Sequence, residues 1–271
     1  MKKLIAMMLA LVMALSLVAC GQKSDANDTA DDTNDTKELT YAVEAGSAGE
    51  EAAAEKGYKT VPVDTQAKAL MEVDAGTADA AVIDLLMAYA MVGEGTSYPT
   101  LKVTDQQLTT EEYGVGCRKG SDLAAYINYI LSQAYADGTM TELAKAYGVS
   151  ESAVVKQPVI ESFDSIADDS DVKYIMEKGK LIVGITEFAP MDYQDANGEW
   201  IGFDADLAKL VAEKLGVEVE FQVINWDTKI EELNGKTIDC VWNGMTLTDA
   251  VQAAMECSNA YCYNGQVVIT K

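Results

Sequence analysis

Two stretches of the chain alternate short apolar runs with amphipathic segments, and this alternation constrains the fold more than any other feature. In the first stretch, residues 39–43 and 80–83 have the pattern of strands and residues 65–75 that of a helix. Residues 180–185 and 203–215 repeat a strand and a helix in the second stretch. Strands that alternate with helices are typical of parallel sheets covered by helices. The sequence therefore predicts two α/β lobes.

Shorter patterns complete this prediction in both stretches. Further strands are expected at 60–63, 113–118, 217–223 and 238–242, and further helices at 50–56, 85–92, 123–135, 140–146 and 226–233.

The N-terminus resembles an export signal. Lys2 and Lys3 precede an apolar run, residues 4–19, that is too short and one-sided for a membrane span. The run closes on Leu-Val-Ala-Cys-Gly, which resembles a bacterial lipobox and implies that Cys20 is lipidated after cleavage. The alternative is an ordinary signal peptide with a chance cysteine. We expect residues 1–20 to be a lipoprotein signal and the protein to be lipid-anchored on the extracytoplasmic face of the cell membrane.

The next segment, residues 21–37, is rich in Asp, Asn, Thr and Ser and has no large apolar residue. Such a composition cannot bury enough surface to offset the entropy of ordering, so we expect a disordered acidic tether.

Charge and composition exclude several classes of function. The formal net charge of −24 makes nucleic acid an improbable partner. The chain contains no His, which removes Ser-His and Cys-His catalysis and His-ligated metals. We predict no metal, no cofactor and no catalytic residue. Four cysteines besides Cys20 have no zinc-like spacing, and free thiols and disulfides both remain open for them: Cys117, Cys240, Cys257 and Cys262.

Several segments together resemble the extracellular solute-binding protein family 3, the amino-acid-binding proteins of ABC importers. They cover nearly all of residues 39–271 and are KLIVG at 180–184, EFAPMDY at 187–193, GFDADL at 202–207, GMTLT at 244–248, YAVEAGSAG at 41–49, DAAVID at 79–84 and EYGVGCRKGSD at 112–122. The resemblance implies a two-lobed, periplasmic-binding-protein-like α/β fold of type II.

The order of these segments differs from that of the family and is similar to a circular permutation. Residues 38–108 would form the second, smaller lobe, and residues 109–153 with 172–271 the first, larger lobe. Residues 154–171 would join the former ends of the family fold, leaving only the stretch near 107–114 as a covalent link between the lobes. Permutation at exposed loops is compatible with an intact fold. The alternative is a rearranged gene fragment whose product binds poorly.

The family's site residues carry over to matching positions. Asp84 matches the carboxylate that receives a ligand's ammonium group, and it closes an apolar strand, where α/β sheets bind ligands. Amides at Gly46, Ser47 and Ala48 precede a helix and suit a carboxylate. The alternatives are a helix N-cap for Asp84 and a plain turn at the glycine.

The remaining matches lie in the first lobe. Phe188 and Trp226 are expected to stack on the ligand, although one of them could belong to the core. The other matches are Glu187, Asn243, Gly244, Thr246 and Thr248. Val251 departs from the family, which usually has an Arg there to clamp the ligand carboxylate. This departure puts a standard α-amino acid in doubt.

The sequence thus favours a monomeric binding protein that captures an amino acid or related polar solute by lobe closure and delivers it to ABC permease subunits. The alternatives are a ligand-sensing lipoprotein without a transporter, and a dehydratase-like enzyme in which Glu187 would be the acid or base.

Overall fold

The computed structural model describes residues 38–163, 167 and 169–271. The predicted signal, the predicted lipidation site Cys20 and the predicted tether lie outside the described residues. Within the described ranges no helix has both the length and the apolar character that a membrane crossing requires. Residues 38–271 group into one compact unit, which contains two sheets.

The second lobe is built on a five-stranded sheet. Its strands are β1 (Thr40–Glu44), β2 (Lys59–Val63), β3 (Ala80–Asp84), β4 (Lys102–Gln107) and β13 (Gln266–Thr270), in the order β2-β1-β3-β13-β4. β1 runs parallel to β2 and β3, whereas β13 runs antiparallel to β3 and β4. Every residue of β3 is buried, as its continuous apolar run predicts.

Helices cover this sheet where the apolar spacing predicts them. They are α1 (Ala48–Glu55), α2 (Gln66–Ala75) and α3 (Leu85–Met91). α2 begins where the Thr65 side chain accepts a hydrogen bond from the amide of Lys68, and it ends at Gly76, whose φ of 77° suits a residue without a Cβ. Leu70 and Val73 on its inner face are fully buried.

The first lobe is built on a sheet with the order β11-β5-β10-β6-β9, and β12 also pairs with β5. The strands are β5 (Glu111–Cys117), β6 (Lys180–Ile185), β9 (Glu218–Val223), β10 (Cys240–Thr246), β11 (Glu256–Cys257) and β12 (Cys262–Asn264). β7 (Tyr193–Gln194) and β8 (Trp200–Ile201) form a separate small hairpin. β6 is parallel to both β9 and β10, and β5 is antiparallel to β10.

The helices of the first lobe are α4 (Leu123–Ala136), α5 (Thr139–Ala146), α6 (Asp171–Lys178), α7 (Phe203–Leu215), α8 (Lys229–Asn234) and α9 (Asp249–Ala254). α7 begins and ends at the residues that the sequence predicts, since Gly216 in the left-handed conformation closes it. α8 begins three residues later than predicted because residues 226–228 form a 3-10 turn. The two-sheet α/β architecture confirms the predicted two-lobed fold class.

Two strand connections, not one, join the lobes. The chain passes from β4 to β5 through residues 108–110 and from β12 to β13 through Gly265. The prediction of a single covalent link near 107–114 is therefore wrong. The assignment of residues 266–271 to the first lobe is also wrong for the strand at 266–270. Its apolar run, Val267–Ile269, pairs with β3, so the last strand completes the second lobe.

The predicted connector contains more structure than its acidic composition indicates. α6 begins at Asp171, where the Ser170 side chain caps the amide of Lys173 at 3.1 Å, so the connector is shorter by one residue than predicted. At its other end Val154 forms an isolated bridge with Cys262. Residues 164–166 and 168 of the predicted connector lie outside the described residues.

The four cysteines within the described ranges are free thiols. Cys117, Cys240 and Cys262 are buried in the first lobe and Cys257 is half-buried. Burial raises the pKa of the Cys117 thiol well above its ordinary value. Their placement favours the free-thiol alternative over the disulfides that the sequence left open.

Candidate ligand-binding site

A cavity of about 150 Å³ lies between the lobes. Residues from both sheets line it, and the sequence predicted most of them: Gly46, Ser47, Ala48, Asp84, Phe188, Trp226, Asn243, Gly244, Thr246, Thr248 and Val251. The sequence did not predict the other lining residues, which are Glu44, Glu51, Gln66, Lys229, Ile230, Met245 and Ala250.

Two carboxylates close neighbouring strands on the second-lobe side. Glu44 is the last residue of β1 and Asp84 the last of β3, and these strands are parallel neighbours. Carboxyl ends of parallel strands meet at one edge of a sheet, so both side chains reach the cavity. They are 3% and 4% exposed, which makes this edge a buried pair of acids.

Asp84 is held by side chains from β5, β12 and β13, the strands beside the two connections, and from α2. Its carboxylate accepts hydrogen bonds from the Tyr113 hydroxyl at 2.6 Å, from Gln266 Nε2 at 3.1 Å, and from the Asn264 and Gln66 side-chain amides. Burial, reinforced by the nearby Glu111, raises the pKa of Asp84 to about 7. Asp84 therefore lines the cavity. It also anchors the end of β12 in the first lobe and the start of β13 in the second lobe.

Glu44 is less completely bonded. Its Oε1 atom is buried and has no hydrogen-bond partner. Burial, and then the charge of Asp84, raise the pKa of Glu44 to about 8, while the Gln66 side chain and then the charge of Lys229 act in the opposite direction. A buried oxygen atom without a donor is costly, and it stands ready to accept a bond from a donor that enters the cavity.

Lys229 faces these acids from the first lobe. It is 7% exposed, and its Nζ donates to the carbonyl oxygens of Gly46 at 2.9 Å and Trp226 at 3.1 Å. The ammonium group also lies 4.9 Å from the centre of the Trp226 ring. Burial lowers the pKa of Lys229, and Glu44 opposes this shift. In the sequence, Lys229 lies in a charge-rich segment, where nothing distinguishes it from a surface lysine.

The turn before α1 was predicted to hold a ligand carboxylate, but the chain already uses most of its donors. The Gly46 amide donates to the Glu50 carboxylate at 2.8 Å, and the Ser47 amide donates to the Glu44 carbonyl at 3.2 Å. The Ser47 hydroxyl accepts from the Glu50 amide at 3.1 Å. Glu50 thus holds the turn through both its amide and its carboxylate. Of the three predicted residues, this leaves only the Ala48 amide.

The first-lobe wall includes the end of β10. The Asn243 side chain accepts from the Thr186 amide at 3.0 Å and donates to Asp192 at 2.8 Å, so it is fixed rather than free. The Gly244 amide donates to Asp204 at 2.6 Å. Both predicted residues therefore line the cavity while their polar groups are bound to the chain.

Gly244 also makes room for an aromatic ring. Its φ is 54°, and a Cβ at this position would lie 2.4 Å from the Phe188 ring. Any larger residue would displace Phe188, which is buried and packs edge-on against Tyr113 with ring centres 6.4 Å apart. Trp226, also buried, lines the same cavity. The structure thus brings both predicted aromatic residues to the cavity.

The turn after β10 is polar on one side and apolar on the other. The Thr246 hydroxyl donates to Glu111 at 2.9 Å, and Thr248 caps α9 by accepting from the Val251 amide at 3.2 Å. Val251 is 8% exposed and presents an aliphatic surface where the resemblance implies an Arg. Within the described residues lining the cavity, Lys229 is the one basic side chain.

Glu187 does not belong to this site. It is exposed and is absent from the cavity wall, because β6 ends at Ile185 and the next cavity residue is Phe188. The lining of this cavity gives no support to its prediction as a ligand-binding residue or as the acid or base of an enzyme. No cluster of three or more potential metal ligands occurs in the ranges the structure describes.

Comparison with known proteins places the chain near solute-binding proteins. Residues 181–271, about a third of the chain, match the family model of bacterial extracellular solute-binding proteins, family 3. This match supports the family resemblance of the first-lobe segments that begin with β6.

Curated relatives carry names of the same class. The L-cystine-binding protein TcyJ of Escherichia coli is 30% identical over 125 residues, which cover 46% of this chain and 46% of the relative. The arginine-binding extracellular protein ArtP of Bacillus subtilis is 33% identical and covers 35% of this chain and 37% of the relative. The chain therefore spans about half, or less, of the length of these relatives. Their names agree with the expectation of a binding protein rather than an enzyme.

A substrate-binding protein of an ABC uptake transporter from Streptococcus pneumoniae, crystallised with histidine, is 35% identical and covers 34% of this chain and 38% of its own, with a TM-score of 0.33.

Proposed function

We propose that this protein is an extracytoplasmic solute-binding protein that captures a small polar molecule between its two lobes and delivers it to an ABC importer. One observation carries the proposal: a cavity lies between two α/β lobes that two strand connections link covalently, and both lobes supply buried polar groups to its wall. Closure of two lobes around a ligand is a recurrent binding mechanism, and it buries the ligand where few polar groups suffice.

The contacts across the cavity support closure as the binding step. Lys229 of the first lobe bonds the Gly46 carbonyl of the second, and Asp84 of the second lobe bonds Tyr113 of the first. A ligand that fills the cavity between these contacts would stabilise this arrangement of the lobes.

We further propose that Cys20 carries the lipid anchor and that the lobes follow a permuted order. The lipobox-like sequence supports the anchor. The sheet order supports the permutation, because β13 from the last part of the chain completes the sheet begun by β1. The permease subunits and a monomeric state remain predictions from the family resemblance.

A thermal-shift screen of the purified protein tests the proposed function. The panel contains neutral and charged amino acids, amines and oligopeptides. A ligand at a hundredfold excess over its dissociation constant raises the free energy of unfolding by about 2.7 kcal/mol. We expect a shift with one chemical class that Asp84→Ala abolishes. A cooperatively unfolding protein that responds to no solute of any class would contradict the proposal.

A further inference from the structure

The cavity has few donors left for an anion. The amides of Gly46, Ser47 and Gly244 are bonded to the chain, and so is the hydroxyl of Thr246. Each of these groups would have to release an internal partner before it could hold a ligand carboxylate. The capping carboxylate of Glu50 adds negative charge at the N-terminus of α1, where an anion would otherwise be favoured.

Acidic side chains outnumber basic ones among the described residues that line the cavity. Glu44 and Asp84 are buried carboxyl groups and Glu51 lies at the rim, whereas Lys229 is the one basic side chain among the described lining residues. Two protein carbonyl oxygens and an aromatic ring already hold the Lys229 ammonium group. The cavity therefore has an excess of acidic groups, which become negatively charged when a bound cation favours their ionised form.

One acceptor is also unsatisfied. Glu44 Oε1 is buried without a partner in a side chain that is 97% buried by accessible area, and the residue lines the cavity. Buried oxygen atoms without donors are rare in folded proteins and mark positions where a bound donor completes the structure. The Asp84 carboxylate, in contrast, already accepts several bonds from the chain.

The rest of the wall suits the body of an organic cation. Phe188 and Trp226 supply aromatic surfaces, and Val251 and Ile230 supply aliphatic ones. Positive groups bind favourably at the faces of aromatic rings, whereas an anion gains nothing there.

Building on the proposed function, we propose that the ligand is a small organic cation, a primary amine or amidine, that donates to Glu44 Oε1 and needs no carboxylate group for binding. Glu44 is then the residue that selects the charge of the ligand, and Asp84 supplies the second negative charge beside it.

Calorimetric titration of the purified protein with matched pairs tests this inference. The pairs are histamine with histidine and putrescine with ornithine, and the neutral amino acid norleucine serves as a reference. We expect at least one amine to bind as tightly as its amino acid or more tightly, and norleucine to bind at least tenfold more weakly than that amine.

Two variants locate the interaction. Glu44→Gln keeps the shape of the side chain and removes its acidic group. It should lower the affinity for the amine at least tenfold, which is the effect of one charge-assisted hydrogen bond. Glu55→Gln makes the same chemical change at an exposed site in α1 that does not line the cavity, and it should leave the affinity unchanged. Thermal unfolding of each variant establishes that it is folded.

The inference is overturned if every amino acid binds at least tenfold more tightly than its amine, if no cation binds to the folded protein, or if Glu44→Gln binds as the wild type does. Tighter binding of an uncharged or zwitterionic solute than of every cation would overturn the inference while leaving the proposed function intact. Only a failure of every class of solute would count against both.

Discussion

Lys229 extends from the first lobe and donates from Nζ to the carbonyl oxygen of Gly46 in the second lobe at 2.9 Å. Because the same ammonium group also bonds the Trp226 carbonyl, Lys229→Met would leave two partly buried carbonyl oxygens without their donor. We expect the free energy of unfolding, measured in urea, to fall by about 1–3 kcal/mol. The exposed Lys214→Met should change it by less than about 0.5 kcal/mol. Equal effects of the two substitutions would show that the contact between the lobes contributes nothing.

Two buried acids beneath the cavity predict an unusual dependence of stability on pH. Burial raises the pKa of Asp204 to about 7, and burial with the neighbouring Asp204 raises that of Asp192 well above its ordinary value. Each has one buried oxygen atom without a partner. The native protein therefore retains protons that the unfolded chain releases above an ordinary carboxyl pKa of about 4. Stability from this pair is complete below about pH 4 and is lost as the pH rises through the raised pKa values, which for Asp204 is about 7.

Asp192→Asn tests this dependence. Asn cannot ionise, so the free energy of unfolding should decrease less steeply between pH 5 and 8 than in the wild type. Asn243 donates a hydrogen bond to Asp192, and the charged groups that act on it besides Asp204 are Lys209 and Asp206. The exposed Asp105→Asn is the matched control and should retain the wild-type slope. An unaltered slope in Asp192→Asn would mean that the pair holds no extra proton.

The raised pKa of Glu44, about 8, predicts that a cation displaces a proton when it binds. Glu44 is largely protonated in the empty protein at pH 7, and a bound ammonium or amidinium group favours its ionised form. The amine should therefore bind more tightly as the pH rises from 6 to 8. Calorimetry at pH 7 in two buffers with different ionisation enthalpies measures the protons released, and Glu44→Gln should release fewer. Equal release by the two proteins would assign the proton to Asp84 or another group.

Val251→Arg should reverse the preference for ligand charge. The added guanidinium group would lie at the cavity wall and give it a donor suited to carboxylates. We expect the amine to bind at least tenfold more weakly and its amino acid to bind at least as tightly as before, measured by titration. Val251→Met adds bulk without charge and separates a steric effect from an electrostatic one. A similar loss in both variants would contradict the electrostatic explanation.

Local patterns were sufficient to predict most of the fold. The strand at 80–84 and the helix at 203–215 follow from continuous apolar residues and from spacing that ends at glycine. β13 was not predicted because its place depends on pairing with β3, which is separated from it by most of the chain. Sequence order alone therefore assigned this strand to the wrong lobe and missed the second connection.

The same distinction applies to the site. Asp84 and the aromatic residues were found by resemblance, whereas Glu44 and Lys229 were not, because both occupy positions at which charged residues are usually solvated. A signal for Glu44 did exist: it ends β1 just as Asp84 ends β3, and parallel neighbours place such residues together. No comparable signal marked Lys229, whose partners are backbone carbonyl groups. Glu187 shows the opposite case, since it lies in a matching motif but is exposed and does not line the cavity.

A crystal structure of the protein with the tightest ligand from the screen tests the central claim most directly. Our account predicts electron density for one molecule in the cavity between the lobes, with a donor of the ligand within hydrogen-bond distance of Glu44 Oε1 and its body between Phe188 and Trp226. Density for the ligand at any other place, with this cavity empty, would contradict it.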